Sequence, residues 1–558
     1  MRRLVRIEGP AQFRKMFLNK IVFAIFSGIF AHNAVFIHGE WHLHIPHIVL
    51  GHCFLSISTL GLIHWTDNYE SLACSAQKTS ILFALYLAAL LTSMTTYRIF
   101  FHRLSGFPGP KLAAVSKFWH VYQVRFSTNY LLMTDLHKLY GNLIRTGPNE
   151  ITIIHPRAIH LLDGWGSTTT KDVWYDILVP KMSVVFTRSE QHHKDTLKAW
   201  TQALSGKAMR HFNVRVSHHV NALCNCLKTR GNQNVNVNDI ISQFTFDVMA
   251  DILFSRSYNL LSTNGWHPYL EHRKHALPFL GPINDTTWIG HMMFCLTPFW
   301  KRVKDWFYMV SFCVDKIQER LEGDEKPKID MAAYFIDEYH KLEEVYDLDK
   351  RNLHLQGTAA TAVIAGSDTT RSALIAAVWF LTKYPGHVRK LFDEIQTVDI
   401  NDPNALGTLP HLEGFIAETL RLLPPAMSGG ARITGPEGLQ VDDTLIPPGV
   451  KVTAPKYAVM RLDTAFVDAD EFIPERWYSR PELILDKRAF APFSVGARAC
   501  VGKPLAYAEL RLVVAALVQH FEIDFAPGYD PMTMWRELKD QVTAQPGAVN
   551  CVFTERSI

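Results

Sequence analysis

The chain has 558 residues, 48% of them hydrophobic and 20% charged, with a formal net charge of +4. That length exceeds one small core, the composition excludes a disordered or collagen-like chain, and charge so near balance, with Lys and Arg spread along the chain, gives no footprint for a nucleic-acid partner. The eight cysteines, at 53, 74, 224, 226, 295, 313, 500 and 551, form no CxxC pair and no Cys/His group at zinc spacing, which excludes a disulfide scaffold.

In chain order, the first hundred residues stand apart. Residues 17–37, 45–65 and 80–97 are three apolar runs of about the ~20 residues that cross a bilayer. The first carries Lys20, His32 and Asn33, whereas the third is free of charge and is followed by Arg98, His102, Arg103 and Lys111. Two returns of apolar sequence argue against a cleaved signal peptide. The positive charge after the third run places the chain beyond it in the cytosol. Arg2, Arg3, Arg6, Arg14 and Lys15 ask for the same side, in conflict with an odd number of crossings. An anchor is therefore expected over 1–100, with up to three spans. A Pro/Gly linker follows over 101–115, where Pro108 and Pro110 favour extended chain. A globular body fills 116–558.

Beyond the linker, apolar residues return every three or four positions, so the body reads as mainly α. Short extended pieces are expected at 143–156 and 438–459, where Pro and Gly punctuate Val and Ile. Lys171–Phe186 and the aromatic-rich stretch Trp266–Trp306 are expected to line or cover a pocket. Cys224 and Cys226, two apart on a helix, read as ordinary thiols.

Thr358–Pro385 is apolar enough to invite a fourth span, but Asp368 and Arg371 near its middle make that expensive. A buried helix is the better reading, with Ala365 and Gly366 leaving room along one side and Thr369 and Thr370 bringing hydroxyls. Glu418 and Arg421 in "ETLR" sit one helical turn apart, and "FIPERW" follows at 472–477 with Arg476. Near the end, "FAPFSVGARACVGKPLAYAEL" places Cys500 just before a helix whose Pro504 marks the first turn. Unpaired N–H groups there favour a thiolate, Gly496 and Gly502 allow a bulky planar group close to the sulfur, Phe493 shields it, and Arg498 suits an acidic group at that cofactor's rim.

Phe493, Gly496, Arg498, Cys500 and Gly502 spell FxxGxRxCxG, which resembles the haem-ligand loop of the cytochrome P-450 superfamily. The resemblance runs from about Phe100 to the C-terminus and implies the mainly α fold with small β-sheets of that superfamily, preceded here by transmembrane helices. It implies haem b with Cys500 as the axial thiolate. "AGSDTT" is similar to the family's oxygen-binding helix, in which Asp368 and Thr369 help deliver protons. Glu418, Arg421 and Arg476 match the buried network that steadies the ligand core. For the haem propionates the likeness implies Arg432 and, in "EQHHKDTLKAWTQALS", His193 or Lys198, with His193 preferred because Leu197 stands where many members carry Arg.

The N-terminal block, "HNAVFIHGEWHLH" in particular, is similar to that of fungal members of secondary-metabolite pathways. The resemblance thus implies a monooxygenase anchored in the endoplasmic reticulum membrane, its catalytic domain in the cytosol. It would insert one oxygen atom from O2 into an apolar small molecule. Electrons would come from NADPH through a separate cytochrome P-450 reductase, since no flavin or nicotinamide fingerprint is present. A haem-thiolate isomerase or dehydratase, and a non-catalytic haem sensor or scaffold, remain as alternatives.

Overall fold

In lipid every backbone polar group has to be satisfied within its own segment, and the N-terminal apolar runs meet that demand as helices: Pro10–Ala31, Ile45–Thr66 and Leu72–Thr96. The computed structural model describes residues 10–67, 71–323 and 329–556. Stretches long and apolar enough to cross a membrane are Phe17–Phe36, Ile45–Thr66 and Leu72–Phe101. The third starts well ahead of the expected Ser80. Ser71 caps it by accepting from the Cys74 N–H at 3.3 Å, and Lys78, inside the helix, is neutralised by Asp67 at 2.7 Å. Lys20 reaches the same carboxylate at 3.2 Å. His32 Nδ1 lies 2.8 Å from the Ser93 hydroxyl, and the Asn33 amide donates to the Ile29 carbonyl at 2.8 Å. The polar groups of the first run are thus paired, Lys20 and His32 across to other segments and Asn33 with its own preceding turn. Of the basic N-terminal residues, Arg2, Arg3 and Arg6 lie outside the described residues.

The chain divides into two compact units. The first holds residues up to 119 together with 145–149 and 286–298, so that the short apolar helix Thr287–Leu296 belongs with the N-terminal apolar helices. The second holds 120–144, 150–285 and 299 onward.

The second unit is built around the 36-residue helix Leu348–Lys383. Asp347 caps it, its carboxylate accepting from the Lys350 N–H at 2.8 Å. Along it Leu374, Val378 and Leu381 are buried, and the facing helix Val237–Phe254 buries Ile240, Phe244, Val248 and Ile252 at helical spacing. Helix Lys503–His520 adds Val513, Ala516 and Leu517 to the same core. The extended pieces read from the sequence form strands at Glu150–Ile153 and Lys451–Thr453, which pair in parallel with Glu150 opposite Lys451. Arg432–Ile433 runs antiparallel to the latter, and Thr170–Lys171 antiparallel to Arg432–Ile433. Lys451, its side chain mostly covered, is met by Glu150 at 3.3 Å, Asp172 at 3.7 Å and Asp285, which is how a cation is tolerated there.

Candidate active site

A cavity of about 310 Å³ lies inside the second unit, between the middle of the Leu348–Lys383 helix and the loop before Lys503. The helix contributes a notch rather than a wall of side chains: Ala365, Gly366 and Thr369 face the cavity. Gly366 has a packing reason, because a Cβ there would come within 2.7 Å of Met249 Sδ on the neighbouring helix. The Thr369 hydroxyl donates to the Ala365 carbonyl at 2.7 Å, leaving its lone pairs open toward the cavity.

Across the cavity, the loop is folded by short-range constraints. Gly496 takes a positive φ of +70°, a region that side chains disfavour. The Cys500 N–H donates to the Phe493 carbonyl at 2.8 Å. Ser494 donates to Asp163 at 2.5 Å. These bonds turn the Cys500 side chain into the cavity, where Phe493, Arg498 and Gly502 join it. Gly502 has an ordinary right-handed backbone, so its lack of a side chain matters for space alone: a Cβ there would stand 3.7 Å from the sulfur. Burial pushes the Cys500 thiol up, opposed by the Gly502 N–H, the Lys456 charge and the Lys503 N–H. The N–H groups at the helix start and the Lys456 charge oppose the shift, and burial outweighs them.

The far end of the cavity is basic. Arg432 pairs with Asp163 at 2.7 Å and donates to the Tyr175 hydroxyl at 2.6 Å. Lys171 Nζ donates to the Val185 carbonyl at 2.5 Å, and burial followed by the Arg498 and Arg432 charges lowers its pKa well below the usual lysine range. Among the described residues Arg498 Nη1 and Trp200 Nε1 are buried without a hydrogen-bond partner, and both residues line the cavity. His193 also lines it, its Nδ1 2.9 Å from the Val184 carbonyl and its Nε2 3.3 Å from the Ala497 carbonyl; burial lowers its pKa. Leu197 lines the cavity, whereas Lys198 points outward, 76% exposed and paired with Asp195 at 3.6 Å. A soft sulfur on one wall and orphaned cationic and indole donors at one end fit a flat, metal-bearing macrocycle with acidic edges.

Other expected residues sit elsewhere. Asp368 turns away from the cavity: Arg273 donates to it at 2.6 Å, Gln545 at 2.8 Å, and Thr543 also. Glu418, Arg421 and Arg476 form a fully buried cluster. Both Arg421 Nε and Arg476 Nε donate to Glu418 at 2.9 Å, as does Trp477 Nε1, and the spare guanidinium N–H groups go to the carbonyls of Met460, Glu471, Val467 and Leu483. Burial alone would raise the Glu418 pKa, but the Arg421 hydrogen bonds and the two guanidinium charges overcome it and hold it below the usual range.

From Lys171–Phe186 the cavity takes Lys171, Tyr175, Val184 and Val185, in line with expectation. Trp266–Trp306 is corrected: none of it lines this cavity, part belongs with the N-terminal apolar helices, and Gly281, Asn284 and Asp285 border a separate small cavity. The aromatic count drew attention to that stretch, but its rings pack mostly on neighbouring elements away from the cavity, Tyr269 on Phe246 and Phe312 and Trp288 on Phe118. Trp200, Lys456 and Glu509 line the cavity without having been singled out in the sequence. Lys456 is buried and donates to the Pro492 carbonyl at 3.0 Å, behind the cysteine loop. Glu509, 1% exposed with one oxygen unpartnered, has its pKa raised by burial to about 8 against a single bond to Thr370.

A helical body enclosing a cysteine-faced cavity, with cations at one end and a hydroxyl-bearing helix notch opposite, defines a haem-thiolate oxidoreductase. The comparisons agree: residues 108–551 match the family model described as Cytochrome P450, and the chain belongs to that family. It is 32% identical over 527 residues to tryprostatin B 6-hydroxylase of Aspergillus fumigatus, covering 92% of each chain. It is also 32% identical to cytochrome P450 monooxygenase notG' of Aspergillus versicolor, covering 95% of this chain and 97% of that one. With cytochrome P450 monooxygenase phqL of Penicillium fellutanum the identity is 30%, over 97% and 96%. Among solved structures, a cytochrome P450DA heme domain superposes with a TM-score of 0.65 at 18% identity, covering 78% of this chain and 95% of that chain, a likeness of fold. The enzyme is a monooxygenase-type oxidoreductase, and its family carries haem-thiolate iron.

Proposed function

We propose that this enzyme hydroxylates an apolar small molecule, with Cys500 as the axial thiolate of haem b. The observation that carries the reading is that the Cys500 sulfur and the Thr369 hydroxyl face one cavity from separate elements. When bound, haem with a thiolate ligand supplies the oxygen chemistry: a C–H bond, O2, NADPH and a proton give C–OH, water and NADP⁺. The chain's own residues hold, orient and protonate. Arg432, Arg498, Lys171, His193 and Trp200 take the cofactor's carboxylates, Phe493 and Gly502 set the space around the sulfur, and Gly496 sets the loop. Thr369 holds a water or proton at the reacting face. Asp368, one residue earlier, serves as the proton relay after leaving Arg273. Glu418, Arg421 and Arg476 keep the ligand loop's foundation rigid.

Electrons come from NADPH by way of a separate NADPH-cytochrome P-450 reductase. The three apolar helices hold the enzyme at the endoplasmic reticulum, and Arg98, Arg103 and Lys111 favour a cytosolic catalytic body. The reaction named for the Aspergillus fumigatus relative, hydroxylation, supports the reaction type.

The test is Cys500→Ser, produced with reductase. It should lose the red-shifted Soret band of the reduced carbon monoxide complex and all oxygenase product, while Cys313→Ser, buried in a helix interior, keeps both. An unchanged spectrum in Cys500→Ser would move the ligand elsewhere. Product formation without NADPH would favour an isomerase or dehydratase.

A further inference from the structure

We propose that His387, His411 and Glu475 form a second metal site, away from the haem cavity, that takes a divalent ion of the zinc type. The three come from separate elements: His387 from the first turn of helix Pro385–Ile395, His411 from the first turn of helix Pro410–Leu422, and Glu475 from the short turn Pro474–Trp477. Their ligand atoms all lie within 4.8 Å of one another. His387 Nδ1 is 3.3 Å from His411 Nε2 and 3.6 Å from Glu475 Oε1. In a tetrahedral zinc site with bonds of about 2.0–2.1 Å, ligand atoms stand about 3.4 Å apart. Two edges of that tetrahedron are therefore already in place, and the donor set of two imidazoles and one carboxylate is one that zinc accepts.

The surroundings orient these ligands. His411 Nδ1 lies 2.9 Å from the Tyr478 hydroxyl. With its proton on that nitrogen, His411 presents a lone pair from Nε2 toward His387, the arrangement by which an outer hydrogen bond fixes a ligating tautomer. Glu394 accepts from the His411 and Leu412 N–H groups at 2.8 and 3.0 Å and adds negative charge nearby. A depression lined by Lys383, Tyr384, Pro385, Gly386, His387 and Lys390 gives an entry path and room for a water as the fourth ligand. Lys390 holds Glu475 Oε1 at 2.5 Å, but its side chain is 55% exposed and leaves for solvent without burying a charge.

Occupancy would tie together three segments that surround the buried arginine network, since His411 shares a helix with Glu418 and Arg421 and Glu475 directly precedes Arg476. A ligand that binds only the folded state stabilises it. The experiment uses untagged, full-length holoenzyme, treated with chelator and then equilibrated with zinc chloride. Metal content is read by mass spectrometry, and ligand type by zinc-edge X-ray absorption. The expectation is one zinc per chain with two imidazole ligands and a raised unfolding temperature. His387→Gln and Glu475→Gln should weaken binding by more than about 100-fold, and Tyr478→Phe, which removes only the orienting bond, by about tenfold. An intact reduced carbon monoxide spectrum in each variant certifies its fold. Zinc uptake unchanged in Glu475→Gln and Tyr478→Phe, or no uptake by the unaltered enzyme, would overturn the assignment in favour of a proton-sharing His–His–Glu–Lys network.

Discussion

Thr369 spends its proton on the Ala365 carbonyl, so what it offers the cavity is an acceptor that can seat a water. Thr369→Ala removes that seat and leaves the helix, the sulfur and the basic end in place. Haem and substrate binding should persist while product per NADPH falls about tenfold or more, general acid–base placement being worth about 10²–10⁴ in rate, and hydrogen peroxide should rise to match. Normal coupling with altered stability would reduce the hydroxyl to a helix-bending role. Glu509 makes a different prediction. Its folded pKa, raised to about 8, exceeds the ~4.3 of an unfolded glutamate, so between those values the folded state binds the extra proton and stability falls as pH rises. Glu509→Gln removes this titration, and its unfolding midpoint should gain on that of the unaltered enzyme from about pH 5 to about pH 9. A pH-independent difference would show that the carboxyl does not titrate in this window. Cys500 and Thr369 stood out in the sequence because a contiguous run carried each of them. Glu509 was hidden inside an apolar helix pattern, because its meaning comes from Thr370 on another helix and from the cavity beside both.

At the scale of elements, the Glu418 cluster acts as a keystone among the Pro410–Leu422 helix, the Pro474–Trp477 turn and the carbonyl-rich chain between them. Glu418→Gln leaves two guanidinium groups buried without a counter-charge. The expected loss is about 3–5 kcal/mol, read as a lowered unfolding midpoint with early release of haem. Because the Glu418 pKa is held down, its contribution is complete above the usual glutamate range and fades only as pH falls through the depressed value. Helices of this body were legible, since Ile240, Phe244, Val248 and Ile252 repeat at helical spacing whatever they face. The strand Thr170–Lys171 was not, since two residues carry no period and owe their form to Ile433 and Arg432 opposite. The early start of the third anchor helix was obscured by Lys78, a charge that reads as an interruption until Asp67 is placed beside it.

For the whole molecule, the apolar N-terminal helices and the cavity-bearing body fall into different compact units, which predicts that tethering and cofactor binding separate. A chain lacking the residues before Phe107 should still give the reduced carbon monoxide spectrum while partitioning less into membranes on centrifugation. Complete loss of haem from that chain would refute the separation. The cationic end of the cavity carries a further consequence. Arg432 has Asp163 for company, but the buried Arg498 Nη1 has no partner among the described residues, and Lys171 meets carbonyls and the Tyr175 ring rather than a carboxylate. Each acidic edge of a bound porphyrin relieves a penalty that the bare polypeptide would otherwise carry in its fold. The haem-free polypeptide should therefore be cut faster than the holoenzyme in limited proteolysis; equal rates would show that the porphyrin edges relieve no such penalty.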